Sequence, residues 1–143
     1  MNQSTNSLAL QLGTALSQCG AKVTAAESCT GGGVAHAITA IAGSSAWFDC
    51  GFVTYANSAK HALLGVPQEV LANQGAVSES VVRYMAEGAA RVANADYAVA
   101  ISGIAGPGGG SDDKPVGTVW FAWRSPLGVS AKKYQLSGDR TAV

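Results

Sequence analysis

Apolar residues three or four positions apart predict several amphipathic helices. The first is expected to begin after Ser4 or Thr5, either of which is a suitable cap, and to end at Gly20. The next follows a run of three glycines and ends at Gly43. Ser78 is the expected cap of a later helix, which the pattern makes the longest in the chain.

Two shorter segments, "SAKHALLG" and "PQEVLANQG", are also predicted to be helical. Asn57 precedes the first as an expected cap, and Pro67 opens the second in its first turn.

Continuous apolar runs predict strands at "KVTAA", "CGFVTY" and "YAVAIS", and "VGTVWFAWR" and "VSAKKYQLS" flank a turn at "SPLG". Strands that alternate with helices and end in a hairpin indicate the α/β class. We therefore expect a single domain over residues 1–143. Its predicted architecture is a three-layer α/β/α sandwich with a mixed, mostly parallel sheet and a C-terminal antiparallel hairpin.

Charge and hydropathy argue against nucleic acid and membranes as partners. Nine basic residues match nine acidic ones, so no net field attracts nucleic acid. No apolar run reaches the roughly 18 residues of a membrane span, and the polar start predicts a cytoplasmic protein. Only 13% of residues are charged, below the usual share of about 25%. This predicts a surface shared between subunits, hence a homo-oligomer, with a dimer favoured.

The sequence offers no metal or cofactor motif. Cys19, Cys29 and Cys50 lack metal-ligand spacing and are expected to be reduced thiols. His36 and His61 are expected at the surface, so no metal site is predicted. Neither nucleotide-binding glycine fingerprint is present, which leaves NAD and ATP unsupported and predicts no cofactor.

Ser28 and Cys29 end a predicted strand where a helix begins, followed by Thr30 and Gly31 to Gly33. Unpaired backbone N–H groups at such a helix start can bind an oxyanion or a phosphate. Alternatively, Ser28 or Thr30 caps the helix while Cys29 packs as a small apolar group. A second glycine-rich segment, Gly103 to Gly110, either binds a ligand or forms a surface turn.

Lys60 follows the second strand, so it and Tyr55 are expected at the same sheet edge as Ser28 if the first two strands run parallel. Lysine can activate a serine in the absence of histidine. A solvated lysine in the first turn of a helix fits the same spacing.

Several segments, in order and spacing, resemble the nicotinamide-nucleotide amidohydrolases, also known as the CinA C-terminal domain family. They are "AESCTGG", "GFVTYANSAKHALLGV", "GAVSESVV", "ISGIAGPGGG", "KPVGTVWFA" and "SGDR". The resemblance implies an α/β/α fold and hydrolysis of the carboxamide of nicotinamide mononucleotide. It also implies a serine nucleophile assisted by lysine and tyrosine, which fall on Ser28, Lys60 and Tyr55.

Under this hypothesis the N–H groups of Thr30, Gly31 and Gly32 form the oxyanion hole. Tyr55 would hold Ser28 or Lys60 by a hydrogen bond, relay a proton, or simply pack in its strand. The Gly103 to Gly110 loop, including Gly106, would bind the ribose phosphate together with Arg140, for which a plain surface position is the alternative. Glu27 receives no role.

Two other functions remain open at this point. The chain would be a non-catalytic nucleotide-binding module if Ser28 only caps a helix, or a thiol enzyme if Cys29 is the nucleophile. Family members continue past "SGDR" into a final helix, whereas Val143 is three residues after Arg140. We therefore expect that helix to be missing here.

Overall fold

The computed structural model describes residues 2–143. The helices of this part are α1 (Gln3–Cys19), α2 (Gly33–Thr39), α3 (Asn57–Leu64), α4 (Gln68–Gln74) and α5 (Glu79–Ala93), with a 3-10 turn at Ser44–Ala46. The strands are β1 (Val23–Glu27), β2 (Phe52–Val53), β3 (Tyr97–Gly103), β4 (Thr118–Ser125) and β5 (Gly128–Gln135).

The strands form one mixed sheet in the order β2-β1-β3-β4-β5. Strand β1 pairs in parallel with β2 and β3, whereas β4 is antiparallel to β3 and β5. Both the predicted mixed sheet and the predicted hairpin are confirmed. Because four strands point the same way, the carboxyl ends of β1, β2, β3 and β5 lie at one edge of the sheet.

Helices cover both faces of this sheet, which confirms the predicted three layers. On one face α5 packs with α3 and α4 against small sheet residues such as Ala26 and Ala100. On the other face Leu16 of α1 and Ile38 of α2 pack around Val23. The alanines let α5 approach the sheet closely, because they add little side-chain volume between the layers.

The contact between α3 and α5 depends on a glycine. A Cβ at Gly88 of α5 would overlap the carbonyl oxygen of Leu64, the last residue of α3. Only glycine lets the two backbones come this close. The contact therefore fixes the position of α3, which also carries Lys60.

Some predicted helix ends are wrong. The side chain of Asn2, not Ser4 or Thr5, caps α1 by accepting from the N–H of Thr5 at 2.8 Å. Asn57 is already inside α3, because the extended Ala56 occupies the cap position.

Two further helix predictions need correction, while one cap is confirmed. Helix α2 ends at Thr39 rather than at Gly43, because a 3-10 turn begins at Ser44. The longest helix is α1, with 17 residues against 15 in α5. The cap predicted at Ser78 is confirmed, since its side chain accepts from the N–H of Val81.

Within residues 2–143, no helix has both the length and the apolar character that crossing a bilayer requires.

Candidate active site

The parallel strands bring the predicted catalytic residues to one edge of the sheet. Ser28 directly follows β1, and Tyr55 lies two residues after β2, which runs parallel to β1 as the hypothesis required. Gly103 is the last residue of β3 at the same edge. Ligand sites of α/β proteins occur beyond such strand ends.

Ser28 and Lys60 are in direct contact. The Nζ of Lys60 lies 2.9 Å from the Oγ of Ser28. Ser28 is 8% exposed and Lys60 is fully buried, at 0%. The interpretation of Lys60 as a solvated helix residue is therefore wrong, and the predicted pair is present.

Two backbone carbonyls complete the surroundings of the amine. Nζ donates to the carbonyl oxygens of Thr54 at 2.8 Å and Tyr55 at 3.0 Å. A neutral amine has two N–H donors and one lone pair, and a carbonyl oxygen only accepts. When Lys60 is neutral, both N–H groups are therefore held by carbonyls, and its lone pair is left to accept the hydroxyl proton of Ser28.

Burial lowers the pKa of Lys60 from its ordinary value. Taking an ammonium out of water disfavours the charged form. In the described part of the chain, no carboxylate lies within 4.0 Å of its Nζ to oppose this effect. Burial thus makes the neutral amine more accessible than it is in an exposed lysine.

Tyr55 contacts Lys60 through its backbone carbonyl rather than its phenol. Its side chain is 59% exposed, and its hydroxyl accepts from Nη2 of Arg140 at 2.8 Å. Within residues 2–143 this hydroxyl makes no hydrogen bond to Ser28 or Lys60. The predicted phenolic contact with that pair is therefore absent, and a carbonyl takes its place.

Arg140 joins the end of the chain to the glycine-rich loop. Its Nη1 donates to the carbonyl of Gly106 at 2.8 Å, while Nη2 reaches Tyr55. Three residues predicted to belong to the site are thus together at its rim.

Gly103 and Gly106 are also needed for packing. A Cβ at Gly103 would lie 2.6 Å from Cγ2 of Val119, and one at Gly106 would lie 2.5 Å from Cγ1 of Val116. Gly106 also has a φ of 82°, which favours glycine. These contacts explain both glycines without a ligand, so binding by this loop stays a prediction.

The predicted oxyanion hole needs correction at two of its three positions. The N–H of Gly31 donates to the carbonyl of Ser28 at 3.1 Å, and the N–H of Gly32 donates to Oε1 of Glu27 at 3.2 Å. Both donors are therefore committed inside the turn. Among the described residues, the N–H groups of Cys29 and Thr30 have no acceptor.

The sequence analysis missed two contributors, Glu27 and Thr54. Glu27 is fully buried, and both of its carboxylate oxygens accept backbone N–H groups at the start of α2. Thr54 supplies a carbonyl to Lys60. The acidic residue directly before Ser28 could have pointed to Glu27. Thr54 acts through its backbone carbonyl, which every residue has, so nothing in the sequence indicated it.

Cys29 does not have the environment of a reactive thiol. Burial raises its pKa from the ordinary value, and the nearby charge of Lys60 opposes this only in part. Catalytic cysteines have a lowered pKa, because the thiolate is the nucleophile. Ser28, which contacts the buried amine of Lys60, is therefore the stronger candidate for a nucleophile.

Within residues 2–143, neither histidine forms a hydrogen bond with Ser28 or with the amine of Lys60. Nδ1 of His61 is paired with the carbonyl of Val66 at 2.8 Å, and His36 lies on α2. Across residues 2–143 no three potential metal ligands come together.

A groove of about 1030 Å³ lies beside the Ser28–Lys60 pair. Cys29, Thr30 and Arg140 contribute to its lining, together with mostly apolar side chains of α1, α2, β3 and β4. Ser28 and Lys60 are outside the lining, so the groove adjoins the pair. Its volume lies just above the roughly 300–1,000 Å³ of small-molecule sites.

Known proteins share both the sequence and the fold. Nicotinamide-nucleotide amidohydrolase PncC of Escherichia coli K12 is 61% identical over 137 residues, which are 95% of this chain and 83% of that protein. The enzyme of the same name from Pseudomonas putida is 54% identical over 136 residues, covering 95% of this chain and 85% of its own length.

The crystal structure of competence damage-inducible protein A from Klebsiella pneumoniae superimposes with a TM-score of 0.93 at 44% identity, over 96% of this chain and 85% of that one. The competence/damage inducible protein CihA of Agrobacterium tumefaciens gives 0.93 at 45% identity, over 99% and 93%. A sequence profile described as the CinA C-terminal domain matches residues 5–143. The predicted resemblance is confirmed, and this chain belongs to the CinA C-terminal domain family.

Proposed function

We propose that this protein hydrolyses the carboxamide of nicotinamide mononucleotide to nicotinate mononucleotide and ammonia, with Ser28 as nucleophile and Lys60 as general base. The observation that carries the proposal is the buried contact of 2.9 Å between Nζ of Lys60 and Oγ of Ser28. The substrate is that of the relatives named nicotinamide-nucleotide amidohydrolases.

In the first half of the reaction, Oγ of Ser28 attacks the amide carbon, and its proton passes to the neutral Nζ of Lys60. The carbon–nitrogen bond then breaks, and Lys60 returns the proton to the leaving nitrogen. Ammonia departs, leaving an ester between Ser28 and the nicotinate carbonyl.

In the second half, water attacks this ester while Lys60 accepts its proton. The bond between the carbonyl carbon and Oγ breaks, and Lys60 protonates the departing oxygen of Ser28. The positive charge of the substrate ring further disfavours a protonated lysine, because like charges repel.

The N–H groups of Cys29 and Thr30 are the proposed oxyanion donors, because both lack an acceptor in the described structure. Backbone donors aimed at a developing oxyanion lower the barrier, and the loss of one costs about 10²–10³ in rate.

Arg140 and the Gly103–Gly110 loop are proposed to hold the substrate phosphate. A guanidinium has five N–H donors. In Arg140 one contacts Gly106 and one contacts Tyr55, which leaves three for a phosphate.

Ammonia release from nicotinamide mononucleotide tests the proposal in the wild type and three variants. We expect Ser28→Ala and Lys60→Met to lose at least about 100-fold in kcat, whereas Cys29→Ala keeps its activity. Loss in Cys29→Ala alone would identify a thiol enzyme. Tight binding without turnover in the wild type would identify a non-catalytic module instead.

A further inference from the structure

We infer that Glu27 is a positioning residue that holds the Ser28 turn in its reactive geometry, an inference that rests on the proposed function. Its carboxylate is fully buried, at 0% exposure. Oε1 accepts from the N–H groups of Gly32 at 3.2 Å and Val34 at 2.9 Å, and Oε2 accepts from Ala35 at 2.9 Å.

This carboxylate is held by backbone donors alone. In the described part of the chain, no basic side chain lies within 4.0 Å of it. Removing a carboxylate from water is strongly unfavourable, so its N–H contacts must offset a large penalty. A capping side chain at the helix start itself would avoid burying a charge, but Gly32 occupies that position with a φ of 104°. That φ favours glycine, which has no side chain to cap with.

The contacts of Glu27 close the turn that contains Ser28. Glu27 directly precedes Ser28, and its side chain accepts hydrogen bonds from the backbone N–H groups of residues 32, 34 and 35. Inside this closure, the N–H of Gly31 bonds to Ser28 and the N–H of Gly33 bonds to Thr30. Every N–H from Gly31 to Gly33 is then committed, and those of Cys29 and Thr30 remain for the substrate.

Glu27 also connects the turn to the segment that holds the base. Its carbonyl accepts the N–H of Thr54 at 2.8 Å. The carbonyl of Thr54 in turn accepts from Nζ of Lys60 at 2.8 Å. Glu27 therefore contacts both the turn that carries Ser28 and the segment that holds Lys60. A displacement of its side chain would move Ser28 relative to Lys60.

The variant Glu27→Gln tests this role, because it keeps the shape but places an amide donor against a backbone donor. A misplacement of about 1 Å can cost up to about 100-fold in rate. We expect kcat to fall by roughly 10- to 100-fold, with KM changed by less than about threefold. The acidic limb of the pH profile should stay in place, because the role is geometric.

A substrate-independent readout is the rate at which a fluorophosphonate labels Ser28, which should fall along with kcat. Ser78→Ala is the matched control for a purely structural cap, because it removes the cap of α5. It should lower the melting temperature without lowering kcat per folded molecule. If Glu27→Gln does not fold, Glu27→Asp takes its place. The shorter side chain keeps the carboxylate but would draw the backbone it contacts out of position.

Wild-type kcat per folded molecule in Glu27→Gln, or in Glu27→Asp if that replaces it, would overturn the positioning role. So would a shifted acidic limb, which would indicate a role for the charge. Both results presuppose an active wild type. An inactive wild type would instead refute the proposed function.

Discussion

The Nζ of Lys60 lies 2.9 Å from the Oγ of Ser28, although 32 residues separate the two in sequence. The parallel pairing of β1 with β2 makes this contact possible, because it brings both strand ends to one edge. Packing of α3 against α5 then places the lysine over that edge.

Lys60→Met should be inactive and yet at least as stable as the wild type at pH 7. The amino group is fully buried, and its three partners are a hydroxyl and two carbonyls, none of which carries a negative charge. Methionine has no amine to desolvate, so it avoids the cost that burial imposes on the protonated form of the lysine. Urea unfolding of both proteins measures the difference. A clear loss of stability in Lys60→Met would mean that the lysine supports the fold.

The lowered pKa of Lys60 predicts that kcat/KM rises with pH along its acidic limb. In the proposed mechanism the neutral amine of Lys60 is the base, so activity requires its deprotonation. The midpoint should lie below the ordinary lysine value of about 10.4. A limb near that ordinary value would contradict the effect of burial.

The same pKa shift predicts how stability depends on pH. Between the lowered folded value and the unfolded value of about 10.4, the unfolded chain binds more protons than the native one. The contribution of Lys60 to the free energy of unfolding therefore rises with pH in this window. Below the folded value it is constant and unfavourable, since both states are protonated. Urea titrations at several pH values across this window give the free energy of unfolding, which should rise less steeply with pH in Lys60→Met than in the wild type.

Gly88→Ala should destabilise the protein by about 1–3 kcal/mol and lower kcat. The added methyl group would overlap the carbonyl of Leu64, so α3 must move and carry Lys60 with it. Gly33→Ala is the control for stability, because nothing lies within 4 Å of a Cβ there. Equal stability of the two variants would mean that α3 adapts without strain.

Cys29 should react with iodoacetamide more slowly than Cys19 and Cys50. Both of the latter are exposed, while Cys29 is partly buried and has a raised pKa. A raised pKa leaves less thiolate at neutral pH, and the thiolate is the reactive form. Mass spectrometry of a labelling time course measures the order. Labelling of Cys29 first would reopen the thiol mechanism.

Apolar runs placed Ser28 and Lys60 at one sheet edge on the condition that the first two strands run parallel, and the family resemblance then singled them out as a pair. The sequence did not predict which group of Tyr55 contacts Lys60, because backbone torsions decide whether a carbonyl or a phenol faces the amine. Glu27 was missed because its N–H partners lie five to eight residues downstream, outside the usual capping spacing. The homodimer and the cytoplasmic location stay predictions.

The rim formed by Arg140 and Tyr55 should govern substrate binding rather than chemistry. Arg140→Gln removes the charge proposed to hold the phosphate, so KM for nicotinamide mononucleotide should rise, by roughly tenfold for a lost interaction of about 1.4 kcal/mol. Tyr55→Phe removes only the hydroxyl that orients Arg140. It should raise KM less, by under about tenfold, because a single hydrogen bond contributes about 0.5–1.5 kcal/mol.

Steady-state kinetics with nicotinamide riboside, which lacks the phosphate, provides the matched comparison. Both variants should process it as the wild type does, because the missing group is the one that Arg140 is proposed to contact. If Tyr55→Phe instead slowed turnover by about 100-fold or more with either substrate, the phenol would act as a proton relay. Its contact with Arg140 would then have to break during turnover, since in this structure that hydroxyl already accepts from Nη2.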